Sequence, residues 1–564
     1  MTDSRATYPH VDADLDTAVD ELRRGAERWA VMGLTERITL LRRTHRSIAA
    51  AAESWTTAAI GAKDIDAGPL AGEEWMSGPY PTLLGFSEAA ASLSKIASGR
   101  SPASDLKTRR APGGRTAFQV LPSDLYDRSL LNGFTGEVWL APGVSADDAR
   151  RRAGQGAKRL GETGGVGLVL GAGNVSSIGP LDVLNELVAH NRVSVLKLNP
   201  TFAGLTTAYN AAFAPLIDAD LLRIVNGGAE VGQYLTAHPG IDHVHVTGSR
   251  MTHDAIVWGP GDAKGGSPRL DKPITSELGG VSPIIVVPGR WSEQDLRHQA
   301  EHVATQRFNN CGHNCIGGQA LILSSDWPQK DAFLTELRRI VEALPPRTSW
   351  YPGSEQKMAA AAAEYPEAEH VNGRLLLKVD ESTSQDALTT EYFGPVLAHL
   401  ELPGAGTDFL RAAVGFSNDR LDGTLGASLI VAPQDRNAMG AAFEEVLAEL
   451  RYGTIGINVW SAFGFLLPGL TWGAYPGNTL RDVGSGIGIV HNAHLLEDVE
   501  RSVVSGPFRP FPRSILGGEL SLSPKPAWFM TAKSAREVGE RLTRFAARPT
   551  WKRLPGIVTH AFHA

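Results

Sequence analysis

"GVGLVLGAG" (residues 165–173) is a short apolar run closed by Gly-Ala-Gly, and "VSVLKLNP" (193–200) repeats the form after an intervening helix-like stretch. "DHVHVTGS" (242–249), "SPIIVV" (282–287) and "ALIL" (320–323) continue the series. Short β-rich runs that end in Gly, Asn or Ser and alternate with helical patterns predict βαβ units around a parallel sheet, hence an α/β fold. "GASLIVA" (426–432) and "GTIGINV" (453–459) read as a further strand pair. Ligands of such sheets collect at the carboxyl ends of the strands, so the polar tails of these runs are where chemistry is expected.

Outward from this centre the pattern changes. From Asp14 to about Lys63, apolar residues recur at helical spacing (Ala18, Leu22, Ala26, Trp29, then Ile38, Leu41, Ile48), and "MGLTER" (32–37) reads as a turn with a helix start at Thr35. Residues 65–150 carry Pro/Gly-rich pieces, "GPYPT" (78–82) and "RRAPGGR" (109–115), and receive no firm assignment. Beyond an extended "GPFRPFPRS" (506–514), residues 531–547 predict a helix with Ala535, Val538, Leu542 and Phe545 on its apolar face. Eight basic and two acidic side chains lie between Lys525 and Arg553. They read as the solvated side of a helix packed on a neighbouring subunit, with a membrane-surface or anionic-ligand patch as the alternative. No internal repeat is visible.

A chain of 564 residues calls for two or three domains. With 42% hydrophobic and 20% charged residues and a formal charge of −7 in interspersed signs, it is expected to be soluble and to bind no nucleic acid. The polar N-terminus lacks the pattern of a secretory signal. No apolar run approaches the roughly 20 residues of a membrane span. A cytoplasmic location is expected, where Cys311 and Cys315, the two cysteines of the chain, would stay reduced.

Both thiols fall in "FNNCGHNCIGGQALIL" (308–323). Flanking glycines and asparagines let the backbone at Cys315 turn sharply and its sulfur face a cleft. A free thiol, with a pKa of about 8.5, needs a depressed pKa or a nearby base to attack at neutral pH. Read alone, the segment favours a packed, inert cysteine.

Four other segments change that balance. "LGAGNVSSIGPLDVL" (170–184) sets Asn174 at a strand end, "VSVLKLNP" sets Lys197 at another, "TSELGGVSPIIVV" (275–287) sets Glu277 before a Gly-Gly turn, and "TEYFGPVLAHL" (390–400) sets Glu391 and Phe393 before Gly-Pro. In chain order Asn, Lys, Gly-Ser, Glu-Leu-Gly-Gly, Cys and Glu-x-Phe-Gly-Pro, the set resembles the aldehyde dehydrogenase superfamily over roughly residues 15–495. The resemblance implies a parallel-sheet cofactor domain, an α/β catalytic domain and a small oligomerisation flap. We divide the chain accordingly into residues 1–275 for the cofactor, with 65–150 atypical and holding part of the flap, 276–485 for the nucleophile, and a C-terminal oligomerisation or extension segment, 486–564.

The resemblance further implies that Cys315 attacks an aldehyde carbonyl, that Asn174 and the Cys315 N–H hold the oxyanion, and that Glu277 is the general base. Lys197, Gly248, Ser249, Glu391 and Phe393 would hold NAD or NADP; no metal is implied, and homodimers or homotetramers are expected. Cys311 is left to packing, with a reversible disulfide to Cys315 as the alternative. Aromatic residues in "INVWSAFGFLLPG" (457–469), namely Trp460, Phe463 and Phe465, would wall an aldehyde tunnel.

The departures from the family pattern are specific. "GAGNVSS" is as similar to acyl-CoA-reducing branches as to ordinary members. His313 stands where a glutamine is usual, either as a loop residue or as a perturbant of the thiol. His253 stands at a glycine of the diphosphate turn. Pro200 replaces an NAD-favouring glutamate, so nothing there repels a 2′-phosphate and NADP stays open. The function expected is oxidation of an aldehyde to an acid through a thiohemiacetal and a thioester. The alternatives are a CoA-acylating enzyme or acyl-CoA reductase, and a silent homologue serving as an oligomeric binding protein.

Overall fold

A computed structural model describes residues 9–564 apart from 67, 260, 262, 263, 265 and 381–384. The first eight residues of the polar N-terminus read above lie outside the described residues.

The alternating runs form two sheets. In the smaller, Ile274–Leu278, His243–Gly248, Val166–Leu170, Val193–Lys197 and Leu222–Val225 lie parallel in that order, and Gly486–Ile487 closes one edge antiparallel. In the larger, seven parallel strands run in the order Val499–Ser505, Thr454–Ile457, Gly426–Ile430, Ser282–Val286, Gly318–Ser324, Val396–Leu402 and Arg374–Lys378. Lys107–Ala111, Arg115–Leu121 and Thr135–Leu140 extend it antiparallel beyond Val499–Ser505, and Glu369–Val371 ends the other side, making eleven strands. The central strands are buried on both faces, which is why they read as continuous apolar runs rather than alternating ones. The sheets change over between Leu278 and Ser282, while Gly486–Ile487 and Val499–Ser505 return to different sheets.

The N-terminal helix pair is Pro9–Val31 and Leu34–Ala62, the second beginning one residue before the expected Thr35. Residues 65–150, left without assignment above, form helices and strands over most of their described positions. "GPYPT" opens the helix Pro79–Ala97, because prolines in a first turn lose no helical hydrogen bond. "RRAPGGR" is a hairpin, with Gly113 and Gly114 at φ of 69° and 73°, where only glycine turns without strain.

The C-terminal helix starts at Ala535, not 531, and runs to Ala547. Val538 and Phe545 are buried as expected, but Leu542 is only half-buried while Gly539 and Thr543 join the face. Its apolar side packs on helices of its own chain, Gly72–Ser77 and Pro79–Ala97, rather than waiting for a neighbouring subunit. Approach is close enough that a Cβ on Gly539 would come within 2.9 Å of the Trp75 Cβ. Arg536, Arg541 and Arg544 face solvent. No helix among the described residues is long and apolar enough to cross a membrane.

Candidate active site

Asn174 follows the carboxyl end of Val166–Leu170, and Glu277 lies near the carboxyl end of Ile274–Leu278 in the same sheet, with Thr247 of the intervening strand opposite it in register. Cys315 comes from the other sheet, on the loop between the helix Glu293–Phe308 and the strand Gly318–Ser324. The three meet in one cleft of about 810 Å³, mouth included, whose walls include Trp460, Phe463, Phe465 and Trp472. The size and the mostly apolar lining suit a small organic ligand.

Glu277 is 3% exposed and accepts a hydrogen bond from Trp472 Nε1 at 3.1 Å. Burial pushes its carboxyl up to about 7, against the lowering effect of the Cys315 thiol and the indole. The Cys315 sulfur reaches the cleft but is enclosed enough that burial, then the neighbouring Glu277 carboxylate, hold the thiol well above its ordinary value. Resting thiol and carboxylate thus face each other, and a carboxylate titrating near neutrality is placed to take the thiol proton.

The loop that carries the thiol is held in an unusual backbone. Asn310, Cys311 and Gly312 are consecutively left-handed, at φ of 52°, 56° and 76°. Asn310 Nδ2 donates to the carbonyls of Asn174 and His313, both at 3.0 Å, and Asn174 Nδ2 donates to His313 O at 2.9 Å. One of the two amide hydrogens of Asn174 is thereby spent on positioning, within a side chain that also lines the cleft. Asn310 Oδ1 accepts from the buried Lys63, which pairs with Glu74 at 2.6 Å. Glu73 binds Asn309 Nδ2 and Arg347. Asn310, Lys63, Glu73 and Glu74 went unread in the sequence; the doubled asparagine of "FNNC" is the only local sign of them.

His313 is fully buried, with Nδ1 2.8 Å from the Phe393 carbonyl and Nε2 3.3 Å from Ser349 Oγ, among the rings of Trp350, Tyr351 and Phe393. Burial pushes its pKa down to about 3, so it is neutral at pH 7 and carries no charge to act on the thiol. It ties the Cys315 loop to the Glu391–Phe393 loop.

Of the other sequence-derived residues, Lys197, Gly248, Ser249, Glu391 and Phe393 do not line the cleft with Cys315. Lys197 and Gly248 end parallel strands of the small sheet, and Ser249 Oγ caps the helix Arg250–Trp258 through Thr252 N–H. A side chain at Gly248 would meet only Val246, at 3.9 Å, leaving the open backbone that a diphosphate needs. Glu391 lies so close to Gly279 that any Cβ there would strike its carboxylate. Its Oε1 is buried without a hydrogen-bond partner, and burial raises the carboxyl to about 7. An orphaned acceptor of this kind fits a ribose hydroxyl. His253 is a buried residue inside the Arg250–Trp258 helix.

Trp528, from "SPKPAWFM" (523–530), also lines the cleft. It packs edge-on to Phe463, with ring centres 4.4 Å apart. Ser521 and Ser523 anchor this segment on the Asn132 carbonyl, and Met530 N–H donates to Thr305 Oγ1 at 3.1 Å. Because the segment itself buries Phe529 and Met530, the latter in one core cluster with Phe508, deleting it would damage the fold, and Trp528→Ala is the cleaner probe. We expect Trp528→Ala to shift relative kcat/KM by about 10-fold toward bulkier ligands, the worth of one or two methylenes in an apolar pocket. Unchanged preference across a chain-length series would remove Trp528 from the recognition surface.

The family model described as the aldehyde dehydrogenase family matches residues 182–371, which takes in Lys197, Gly248, Ser249, Glu277 and Cys315 but neither Asn174 nor Glu391 and Phe393. N-succinylglutamate 5-semialdehyde dehydrogenase of Sphingopyxis alaskensis is 26% identical over 204 residues, 35% of this chain and 36% of that protein, so the match spans about a third of that relative. The gamma-glutamyl-gamma-aminobutyraldehyde dehydrogenase of Burkholderia cenocepacia superposes with a TM-score of 0.60 at 19% identity, over 87% of this chain and 88% of that one. NADP-dependent glyceraldehyde-3-phosphate dehydrogenase from Bacillus halodurans, solved with NADP, gives 0.57 at 18%, over 87% and 91%. These two likenesses are of fold.

Proposed function

We propose that this chain, which belongs to the aldehyde dehydrogenase superfamily, oxidises an aldehyde to a carboxylic acid with NAD or NADP as the hydride acceptor. The observation that carries the reading is the Cys315 thiol facing the Glu277 carboxylate in a cleft that Asn174 also lines.

Glu277 takes the thiol proton as sulfur attacks the carbonyl carbon. A C–S bond forms, and the carbonyl oxygen becomes an oxyanion that the Asn174 amide and the Cys315 N–H stabilise. A nicotinamide dinucleotide, when bound, would accept the hydride lost from that carbon. Lys197, Gly248 and Ser249, Glu391 and Phe393 are the residues that would bind it, with Pro200 offering no negative charge against a 2′-phosphate. Glu277 releases the thiol proton to bulk water and, ionised again, takes a proton from the water whose oxygen attacks the thioester; the C–S bond breaks, the thiolate of Cys315 recovers that proton from Glu277, and the acid leaves. The small sheet is assigned the cofactor and the large sheet the nucleophile.

A carboxylate beside the thioester supports water over CoA as the acyl acceptor. The test is purified protein with an aldehyde panel, NAD or NADP, with and without CoA. Reduced nicotinamide formed without CoA supports the reading; turnover only with CoA rejects it, and neither turnover nor nicotinamide binding rejects a dehydrogenase altogether. Asn174→Ala is expected to lower kcat by about 10²- to 10³-fold with a smaller change in KM, the loss of one oxyanion donor. Steady-state kinetics showing the loss wholly in KM would instead make Asn174 a binding residue.

A further inference from the structure

One end of the cleft carries polar groups that the proposed reaction does not use. Asp182, from the helix Ile178–Ala189, is 1% exposed, and His491 is 6% exposed; both line the cleft with Cys315. Asp182 Oδ2 accepts from Thr247 Oγ1 at 3.1 Å and lies 3.5 Å from His245 Nε2. Its Oδ1 has no hydrogen-bond partner, and neither ring nitrogen of His491 has one. His491 Nε2 stands 3.7 Å from that oxygen, beyond hydrogen-bond length. The His491 ring rests on Phe465, with centres 4.7 Å apart, and Phe465 on Trp472, which binds Glu277. The remaining walls are mainly apolar.

Buried acceptors and donors left open in an otherwise apolar cleft are the sparse polar points by which such sites orient a ligand. We propose that Asp182 and His491 form a second recognition point for a hydroxyl group carried by the aldehyde substrate, the hydroxyl donating to Asp182 Oδ1 and accepting from His491. This substrate class rests on the aldehyde-oxidising reading above. A hydroxyl fits the pair better than an ammonium does. An alcohol both donates and accepts, so it can serve Asp182 Oδ1 and a ring N–H of His491 together, whereas an ammonium only donates and would leave that N–H without an acceptor.

The test compares matched aldehydes with and without a terminal hydroxyl, and with a terminal amine, across a short chain-length series. Wild type should favour the hydroxyl member at its best length by about 10- to 100-fold in kcat/KM, the discrimination of a site built to bond a substrate OH. Asp182→Asn and His491→Phe should each reduce that ratio several-fold. Binding of the corresponding acids, hydroxylated and plain, is measured in parallel by calorimetry. Equal kcat/KM for hydroxylated and plain aldehydes overturns the proposal and shows an ordered water as the pair's only partner; preference for the amine overturns the choice of hydroxyl. If no aldehyde is oxidised but the hydroxylated acid still binds more tightly, the reaction assigned to the chain falls and the recognition point stands. Equal binding of the two acids then overturns both.

Discussion

Cys315→Ser is expected to lower aldehyde oxidation by about 10³- to 10⁴-fold or more, the scale at which removing a covalent nucleophile leaves only binding and oxyanion stabilisation. A serine hydroxyl is far less acidic than a thiol, and Glu277, at about 7, cannot ionise it. Cys311→Ser is the control. Cys311 is 4% exposed, lines no wall of the cleft and keeps its thiol protonated through burial, despite Arg347, Arg374 and Arg307 around it. A serine fits the same volume and the same left-handed backbone, so activity should stay within about threefold and stability within about 1 kcal/mol. Both thiols are free in the structure. Initial rates of nicotinamide reduction decide the matter; a dead Cys311 variant with an active Cys315 variant would exchange the two roles.

Glu277→Gln should lower kcat by about 10²- to 10⁴-fold and alter the shape of the pH profile. In wild type the base works only when ionised. Since its folded pKa is raised to about 7, activity should fall as pH drops through that value and recover above it. Glutamine cannot be protonated there, so the slow residual rate should lose the limb. Because acyl transfer to water needs the base more than hydride loss does, a stoichiometric burst of reduced nicotinamide should precede the slow phase, with the acyl group on Cys315 by intact-mass measurement. A variant that keeps the limb and shows no burst would move the base to another residue.

The strands of both sheets that are buried on two faces were readable because burial makes them continuous apolar runs. Residues 107–140 were not: Lys107–Ala111 is an exposed charged edge, and its partners alternate too weakly to separate from loop. Asn174, Glu277 and Cys315 could be singled out because each stands beside glycines in a short local motif, Asn174 and Cys315 on loops and Glu277 in the strand before Gly279 and Gly280. Lys63, Glu74 and Asn310 were not, since the Lys63–Glu74 pair acquires its role only where Lys63 meets Asn310, 247 positions away. Asp182 and His491 likewise meet only in three dimensions. His313 was visible, but its neutrality follows from the rings of Trp350, Tyr351 and Phe393, which no pattern near residue 313 announces.

The strand Val499–Ser505 separates Thr135–Leu140 from Thr454–Ile457 in the large sheet. During synthesis the antiparallel arm built by residue 140 therefore lacks its strand partner in the sheet until residue 505 has been made. Roughly 360 residues pass in between, about 20 to 70 seconds at ordinary elongation rates. For that interval a pairing edge of Thr135–Leu140 stands open, exposed to other chains or to chaperones, and the final assembly step closes contacts of high sequence separation. Yield in a heterologous host should therefore depend on temperature and chaperone supply more than the stability of the finished molecule would suggest.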